Sequence, residues 1–317
     1  MLQEKPSVIL VAGPTASGKS ALAADLAVET GGAVINADAM QVYHGLPILT
    51  AQPDPAALAR APHHLYAYVD PGERYSAGKW LAEAIKTIDA AWAGNKTPIL
   101  VGGTGMYFKM LLSGLADIPE ISDELRRQLR DDYEKDGEPV IRQRLAALDH
   151  DAAARIPPGD RQRLLRALEV ALATGKSLSA WQQETQPGFL SGADITPILL
   201  MPPRDELYAA CERRFSGMLE RGAIEEVRAL PALDPGLPAM KTIGAREIGD
   251  YLSGSIGLEE AKQSAQQATR NYAKRQVTWF RNQWLGGKSG FGRGVVLVED
   301  FYRVEMLKKI IERGGFK

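Results

Sequence analysis

Residues 13–20 form a glycine-bounded loop that determines how the first part of the chain folds. The stretch consists of Gly13, Pro14, Thr15, Ala16, Ser17, Gly18, Lys19 and Ser20, which matches the pattern G-x-x-x-x-G-K-[ST]. An apolar stretch, Ser7–Ala12, precedes the loop, and residues 20–30 follow it with Leu22 and Leu26 at helical spacing. A strand, a glycine loop and a helix in this order predict a phosphate-binding loop (P-loop) that opens an α/β sheet.

The residue types of this loop suit the binding of a phosphate or diphosphate group. Glycines let backbone N–H groups turn towards an anion, and the amino end of the following helix adds partial positive charge. Lys19 supplies a mobile cation, and the Ser20 hydroxyl is a candidate ligand for Mg²⁺. The pattern does not identify the compound that carries the phosphate.

A candidate acid follows the second apolar strand instead of the strand at 98–101. In kinases and ATPases, the acid that holds Mg²⁺ usually stands at the end of an apolar strand. Here the strand at 98–101 is followed by residues 102–105 (Gly-Gly-Thr-Gly), whereas Asp38 comes just after Ala33–Asn36. Because strand carboxyl ends line the ligand crevice of open α/β sheets, we expect Asp38 to face the same site as Lys19.

Strands and helices alternate through the first 115 residues, and then the alternation stops. Residues 116–192 are helical in pattern and rich in Arg, Leu and Ala. Further strands are predicted at residues 65–69, 195–201 and 295–298. Alternation of this kind predicts a mostly parallel sheet flanked by helices. We therefore expect an α/β P-loop core, residues 1–115 and 193–317, with an all-helical insertion domain at 116–192.

The cysteine content and the length of the apolar runs indicate the cellular compartment. Among 317 residues there is one cysteine, Cys211, so no internal disulfide can form and a reducing compartment is expected. No apolar run approaches the roughly 20 residues that span a bilayer. We therefore expect a cytoplasmic protein without membrane contact. We also expect it to act as a monomer.

The net charge is −1, yet one long stretch carries a single sign. Residues 261–298 contain no Asp or Glu. The basic residues of this stretch are Lys262, Arg270, Lys274, Arg275, Arg281, Lys288 and Arg293. A one-signed stretch inside a near-neutral protein predicts a local surface for a polyanion such as nucleic acid.

Five separated segments of the chain agree with one enzyme family. They are residues 13–20, 38–43 (Asp-Ala-Met-Gln-Val-Tyr), 101–107 (Val-Gly-Gly-Thr-Gly-Met-Tyr), 160–170 and 274–281. In this order and spacing the chain resembles the tRNA dimethylallyltransferases, or tRNA isopentenyltransferases, from about residue 7 to residue 285. The resemblance implies transfer of a dimethylallyl group from dimethylallyl diphosphate to N6 of the adenosine 3′-adjacent to the anticodon of tRNA. It also implies the use of Mg²⁺ and the release of diphosphate.

The resemblance implies roles for individual residues. Asp38 would accept the N6 proton, and Thr104 would help to position donor and adenine. The loop at 13–20 would hold the diphosphate, with Mg²⁺ at Ser20. The tRNA, through its anticodon stem-loop, would be contacted by Ala39, Met40, Gln41, Arg126, Gln162, Arg163, Arg166, Arg246, Lys274, Arg275, Gln276 and Arg281. Three departures from the usual pattern of the family concern Ala39 (usually Ser), Leu49 with Gln52 (usually Gly and Lys) and Gly159 (usually Asn).

Two stretches also favour nucleic-acid contact by their own pattern. Asp160 is a candidate N-cap of a helix that leaves Arg163 and Arg166 on its exposed side. The buried stripe of this helix is predicted to be Leu164, Leu165, Leu168 and Leu172. Further on, Arg270, Lys274 and Arg281 share a helical face with no acid nearby in sequence. Trp279, Phe280 and Trp284 are interleaved with them, and Trp284 is expected to lie in the core. Basic residues beside aromatics that can stack a base are typical of RNA loop recognition.

Two other functions remain open from the residues alone. One is a P-loop transferase that acts on a small molecule, either a metabolite kinase or an adenylate prenyltransferase. The other is a nucleotide-dependent RNA-binding module without catalysis. The basic stretch and the helical insertion favour a macromolecular acceptor over a small one, and Asp38 favours an enzyme over a binding module.

Overall fold

Six strands form one sheet in the computed structural model, which describes residues 6–287, 289, 291 and 294–315. The strands are β1 Ser7–Ala12, β2 Ala33–Asn36, β3 His63–His64, β4 Pro98–Gly102, β5 Asp194–Leu200 and β6 Val296–Val298. Their order across the sheet is β3-β2-β4-β1-β5-β6, and all five neighbouring pairs are parallel. The predicted parallel α/β core is confirmed.

Helices supply the rest of the described structure. They are α1 Lys19–Thr30, α2 Pro47–Thr50, α3 Pro55–Arg60, α4 Ala77–Ala93, α5 Gly105–Ser113, α6 Asp123–Leu148, α7 His150–Arg155, α8 Arg161–Thr174, α9 Leu178–Gln183, α10 Arg204–Glu220, α11 Ala223–Ala229, α12 Ala245–Leu252, α13 Leu258–Phe280 and α14 Leu307–Gly314. The helix α13 continues into a π-helical turn, Arg281–Leu285. Among the described residues, no helix combines the length and the apolar character that crossing a bilayer demands.

The apolar character of β1 follows from burial on both faces. Val8, Leu10 and Ala12 belong to a core that also contains residues of α4, α5 and α13. Ile9 and Val11 point to the opposite face and pack with residues of α1 and α14. A parallel strand covered on both sides becomes a continuous apolar run rather than an alternating one. This burial holds the strand ends, and the loops that follow them, in fixed positions.

By its contacts the chain divides into two compact units, Met1–Leu112 with Phe189–Lys317, and Ser113–Gly188. The second unit is helical and has its own apolar core, which includes Leu129 and Leu164. Within this unit, the buried Asp149 carboxylate accepts hydrogen bonds from the backbone N–H groups of Ala152 at 3.0 Å and Ser179 at 2.9 Å. One side chain thereby ties the starts of α7 and α9 together.

Two details of the sequence prediction are wrong. Residues 65–69 do not form a strand, because Leu65 and Ala67 have left-handed φ angles of 63° and 49° that interrupt the pleat. The edge strand lies instead at His63–His64, and Val69 makes only an isolated parallel bridge with Tyr43. The other error is Leu172, which is 44% exposed and therefore lies outside the buried stripe of α8.

Candidate active site

A cavity of about 330 Å³ lies in the first unit, where loops follow the carboxyl ends of β1 and β2. Its polar lining residues are Thr15, Lys19, Ser20, Asp38, Gln41, Thr50, Arg214, Lys241, Thr242, Thr269, Tyr272 and Arg275. Its other lining residues are Ala39, Met40, Leu49, Ala51, Cys211, Phe215, Met218 and Ile243. The structure thus brings Lys19 and Asp38 into one cavity, as crevices at strand carboxyl ends do.

The P-loop is shaped by glycine at two points. Gly18 has a φ of 89°, a left-handed conformation that favours glycine, and it directly precedes α1. At Gly13, a Cβ would lie 2.7 Å from the Leu200 carbonyl oxygen, so any side chain would collide with β5. The N–H groups of the first turn of α1, which begins at Lys19, have no partner within the helix and can stabilise an anion.

Lys19 is buried with its ammonium group inside the loop. Its Nζ donates a hydrogen bond to the Pro14 carbonyl oxygen at 3.2 Å. Burial lowers the pKa of Lys19 from 10.5 to about 8, while Asp38 acts in the opposite direction and Arg214 adds to the decrease. A bound anion would restore the ordinary pKa because it favours the charged ammonium. The site is therefore arranged to accept negative charge.

We expect the affinity of the free protein for sulfate to fall about tenfold between pH 7 and pH 9, because most Lys19 side chains lose their proton over this range. Sulfate does not titrate there, so proton uptake on binding belongs to the protein. Isothermal titration calorimetry in two buffers of different ionisation enthalpy measures both quantities.

The matched control is Lys19→Met, which should bind sulfate weakly and without this pH dependence. The pH dependence of stability that Lys19 causes is opposite to that of a lysine whose pKa is raised by folding. Because the unfolded chain binds more protons than the folded one between pH 8 and 10.5, the contribution of Lys19 to the free energy of unfolding rises with pH there. A pH-independent sulfate affinity in the unchanged protein would contradict the low pKa of Lys19.

Arg214 is the functional candidate that the sequence prediction missed. It lies on α10, and its Nη1 donates a hydrogen bond to the Thr15 Oγ1 at 3.0 Å. Burial lowers the pKa of Arg214, and Asp38 opposes this effect. The available signal was its position on the buried face of α10, whose other members are Leu207, Cys211, Phe215 and Met218. A guanidinium on an apolar face needs an anionic partner.

Asp38 is held in place by local hydrogen bonds. Its Oδ1 accepts from the Met40 N–H at 3.0 Å, and its own N–H donates to the Asn36 Oδ1 at 2.8 Å. The fully buried Asn36 in turn donates through Nδ2 to the carbonyl oxygens of Asp38 at 3.0 Å and Leu65 at 2.9 Å. The carboxylate therefore stands on a rigid turn at the end of β2.

Thr104 is not among the residues that line the cavity. Its Oγ1 accepts a hydrogen bond from the Ala39 N–H at 3.0 Å, and its side chain lies near Tyr272. Tyr272 itself lines the cavity. In this structure Thr104 supports the turn after Asp38.

Ala39, Met40 and Gln41 all line the cavity. The Gln41 Nε2 donates to the carbonyl oxygens of Thr50 and Ala51, both at 2.9 Å. This side chain therefore joins the turn after β2 to the turn that ends α2.

Three predictions for the basic stretch need correction. Gln276 is buried, with its Oε1 accepting from the Thr15 N–H at 2.8 Å and its Nε2 donating to the Gly103 carbonyl at 2.9 Å, so it joins two loops instead of facing tRNA. Arg270 has an acidic neighbour, because it forms an ion pair with Glu212 of α10. Phe280 is fully buried and cannot stack a base.

The other basic residues of α13 and its end are accessible. Lys274, Arg275 and Arg281 are exposed, and Arg275 also lines the cavity. Trp284 is buried, as expected, whereas Trp279 is half-buried against Gly105, where a Cβ would lie 2.3 Å from the indole ring. Lys288 and Arg293 lie outside the described residues.

The remaining predicted tRNA contacts lie on helix surfaces. In the helical unit, Gln162 and Arg163 are exposed, and Arg126 and Arg166 are half-buried. The Asp160 carboxylate accepts from the Arg163 N–H at 3.2 Å, so its predicted capping role is confirmed. In the first unit, Arg246 is exposed on α12. Ion pairs link Arg126 to Asp123, Arg163 to Asp160, Arg166 to Glu169 and Arg246 to Asp250.

Cys211 lines the cavity but is buried, and burial raises the pKa of its thiol. A raised pKa disfavours the thiolate that a nucleophile requires. Ser20 is exposed at the start of α1. In the described part of the chain, no three His, Cys, Asp or Glu side chains come together as a metal site.

Comparison with known proteins identifies the family. The family model described as IPP transferase matches residues 41–283, and the one described as isopentenyl transferase matches residues 6–68. A relative named tRNA dimethylallyltransferase, from Caulobacter sp. strain K31, is 55% identical over 278 residues, which are 87% of this chain and 90% of the relative.

Solved structures agree with this result. The full-length tRNA isopentenylpyrophosphate transferase from Bacillus halodurans is 32% identical with a TM-score of 0.65, over 99% of this chain and 95% of that one. A eukaryotic dimethylallyltransferase described as acting on tRNA is 29% identical with a TM-score of 0.81, over 96% of this chain and 78% of that one. The chain belongs to the tRNA dimethylallyltransferase family.

Proposed function

We propose that this protein transfers the dimethylallyl group of dimethylallyl diphosphate to N6 of the adenosine 3′-adjacent to the anticodon in tRNA. The observation that carries the proposal is the lining of the cavity. The P-loop with Lys19 and Arg214 forms its cationic part, while Leu49, Phe215 and other members of one apolar cluster form another part of the wall. Dimethylallyl diphosphate fits both parts of this wall, because its diphosphate is anionic and its hydrocarbon is apolar.

The donor diphosphate would be held by the N–H groups at the start of α1 together with Lys19, Arg214 and Ser20. Negative charge develops on the diphosphate as the allylic carbon leaves it, and fixed cations and N–H groups stabilise that charge. The Ser20 hydroxyl would hold Mg²⁺ jointly with diphosphate oxygens and water, which fits the preference of this ion for substrate phosphates over all-protein sites. When bound, Mg²⁺ supplies further charge neutralisation on the diphosphate.

Asp38 would act as the general base. The bond between N6 and the allylic carbon forms as the carbon–oxygen bond to diphosphate breaks, with its electron pair leaving on the diphosphate. The N6 proton passes to the Asp38 carboxylate. Alignment of amine and carbon supplies much of the rate enhancement. No nucleophilic side chain is required, which agrees with the buried, protonated state favoured for Cys211.

The tRNA would be bound by basic surfaces on both units. On the first unit, exposed Lys274, Arg275 and Arg281 lie at the end of α13 in the stretch that lacks acidic residues. On the helical unit, which we propose as a clamp for the anticodon stem-loop, Arg126, Gln162, Arg163 and Arg166 are the candidate contacts. We further propose that the enzyme works as a monomer in the cytoplasm.

The main competing function is a small-molecule transferase, either a metabolite kinase or an adenylate prenyltransferase. The match to an isopentenyl transferase model over residues 6–68 covers only the P-loop and the first strands. The match over residues 41–283 extends through the helical unit and α13. Relatives named for activity on tRNA align over most of the chain, so the tRNA acceptor is the better supported one.

A labelling experiment decides between these acceptors. The protein and Mg²⁺ are incubated with radiolabelled dimethylallyl diphosphate and either unmodified tRNA or AMP, and in parallel with γ-labelled ATP. We expect label to enter tRNA only, with diphosphate released in equal amount.

As a control, a tRNA with guanosine at the position 3′-adjacent to the anticodon should stay unlabelled. Labelled AMP would identify an adenylate prenyltransferase, and consumption of ATP with unlabelled tRNA would identify a kinase. Either result would overturn the proposed function.

A further inference from the structure

Tyr302 packs directly against the P-loop. It follows β6, the edge strand that pairs in parallel with β5. At Gly18, a Cβ would lie 3.4 Å from both the Cβ and the backbone nitrogen of Tyr302. Gly18 adopts a left-handed φ of 89° and directly precedes α1. The chain after β6 therefore covers the point at which the loop passes into the helix.

The side chain of Tyr302 extends along α1 from Gly18 to Asp25. Its hydroxyl donates a hydrogen bond to the Asp25 Oδ2 at 2.6 Å. Burial, together with the neighbouring Asp25, raises the pKa of Tyr302, so the phenol keeps its proton and remains a donor at neutral pH. Tyr302 also packs on the apolar core that contains Leu22 and Leu26 of α1. One residue therefore contacts both the start of α1 and a position about two turns further on.

Asp25 is itself fixed by a second partner. Its Oδ1 accepts a hydrogen bond from the Arg60 Nη2 of α3 at 2.5 Å, as part of an ion pair. Only 12% of the Asp25 side chain is exposed. Charge-assisted hydrogen bonds are stronger than neutral ones, and exclusion of water strengthens them further. Asp25 therefore gives the hydroxyl of Tyr302 a fixed partner.

The composition of the P-loop explains why it needs support from outside. Glycine reaches more conformations than any other residue, so a loop that contains Gly13 and Gly18 loses more backbone entropy when it becomes ordered. A loop that is already held in its binding conformation avoids that loss on binding, and its N–H groups already point towards the anion. Gly13 is limited by β5, because a Cβ there would lie 2.7 Å from the Leu200 carbonyl oxygen. Tyr302 supplies the corresponding contact at Gly18.

We propose that Tyr302, held by Asp25, is a positioning residue that keeps the P-loop in the conformation that binds the diphosphate of the prenyl donor. The inference rests on the proposed function, since the donor diphosphate is the anion assigned to this loop. It gives a role to a segment that lies beyond the longer family-model match, which ends at residue 283. Tyr302 does not line the cavity, so it acts through Gly18 and the first turn of α1.

Binding of inorganic diphosphate, measured by calorimetry without tRNA or prenyl donor, tests this role. For Tyr302→Ala we expect the Kd to rise about tenfold, because the loop must then be ordered on binding. Tyr302→Phe keeps the ring beside Gly18 and loses only the hydrogen bond to Asp25, so its Kd should rise about threefold. Because Tyr302→Phe preserves the shape of the side chain, it carries the test if Tyr302→Ala does not fold.

The pH profile of sulfate binding separates positioning of the loop from stability of the fold. In the unchanged protein, sulfate affinity should fall between pH 7 and pH 9, because burial lowers the pKa of Lys19 to about 8. In Tyr302→Ala, a loosened loop admits water to the Lys19 ammonium, so its pKa returns towards 10.5. We therefore expect weaker sulfate binding at pH 7 and a smaller decrease up to pH 9.

Two control variants separate the contact at Gly18 from general packing. Ile310 of α14 is buried in the core on which Tyr302 packs, whereas the atoms nearest to a Cβ at Gly18 all belong to Tyr302. Ile310→Ala should lower the melting temperature and leave both diphosphate affinity and the sulfate pH profile unchanged. Arg303→Ala removes an exposed neighbour of Tyr302 that pairs with Asp300, and it should also leave both unchanged.

Unchanged diphosphate affinity in the Tyr302 variants, or an equal loss in Ile310→Ala, would overturn the inference. If the unchanged protein binds diphosphate but labels no tRNA from dimethylallyl diphosphate, the proposed function fails, while the variants still decide whether Tyr302 positions the loop. If the unchanged protein labels tRNA and the Tyr302 variants bind diphosphate as tightly as it does, only the role of Tyr302 fails.

Discussion

Replacing Asp38 by alanine should lower the single-turnover rate of prenyl transfer by about 10²-fold or more, the usual effect of losing a general base. Asp38 stands at the carboxyl end of β2 and lines the same cavity as Lys19. Its orientation is set by the Met40 N–H and by the buried Asn36 beneath it. The carboxylate is therefore already placed, and removing it leaves the amine proton of the acceptor without a positioned base.

Asp38→Asn is the sharper variant. An amide oxygen can still accept the hydrogen bond from the Met40 N–H, so the turn should keep its shape, but the amide does not take up a proton at neutral pH. We expect the rate of Asp38→Asn to fall nearly as far as that of Asp38→Ala, with tRNA affinity changed little in both. A near-normal single-turnover rate in Asp38→Asn would remove proton transfer to Asp38 from the mechanism.

Arg214→Ala should reduce kcat/KM for the prenyl diphosphate by about 10²-fold or more, on the scale found when a fixed donor to a developing anion is lost. The guanidinium reaches the P-loop through Thr15 and lines the cavity beside Lys19. Without it, Lys19 remains as the buried cation of the loop. The loss should appear in binding of inorganic diphosphate as well as in turnover, because Arg214 would contact the leaving group in both ground and transition states.

Arg213→Ala is the matched control for this prediction. Arg213 precedes Arg214 on α10 but is exposed and does not line the cavity. Its removal should leave diphosphate binding unchanged. Thr15→Val removes the hydroxyl that accepts the hydrogen bond from Arg214. This variant should also weaken diphosphate binding, but less than Arg214→Ala does. Equal effects of Arg213→Ala and Arg214→Ala would show that general charge, rather than the contact with Thr15, matters.

Local patterns in the sequence predicted the elements that depend on local rules. The P-loop pattern, the helix that follows it and the strands β1, β2, β4 and β5 appear close to the expected residues, because burial on both faces and helical spacing determine the order of apolar residues. The N-cap at Asp160 could be predicted for the same reason, since its carboxylate accepts a hydrogen bond from an N–H group three residues away.

Contacts between distant segments could not be predicted in this way. Arg270 seemed to lack an acid because none lies near it in the chain, yet Glu212 of α10 pairs with it. Gln276 seemed to belong to a basic surface, yet it joins the P-loop to the loop after β4. In both cases a residue on the helix α13 meets a partner brought close only by packing.

The sequence by itself determined the class of fold, the anion-binding loop and the base candidate, because each depends on a short pattern whose physical consequence is local. Only the tertiary structure decided which cationic and which apolar side chains line the same cavity. Arg214 lies 199 residues from Thr15, and Tyr302 lies 277 residues from Asp25. The burial that makes these contacts strong is produced by packing of whole helices against one another, and no local pattern carries that information.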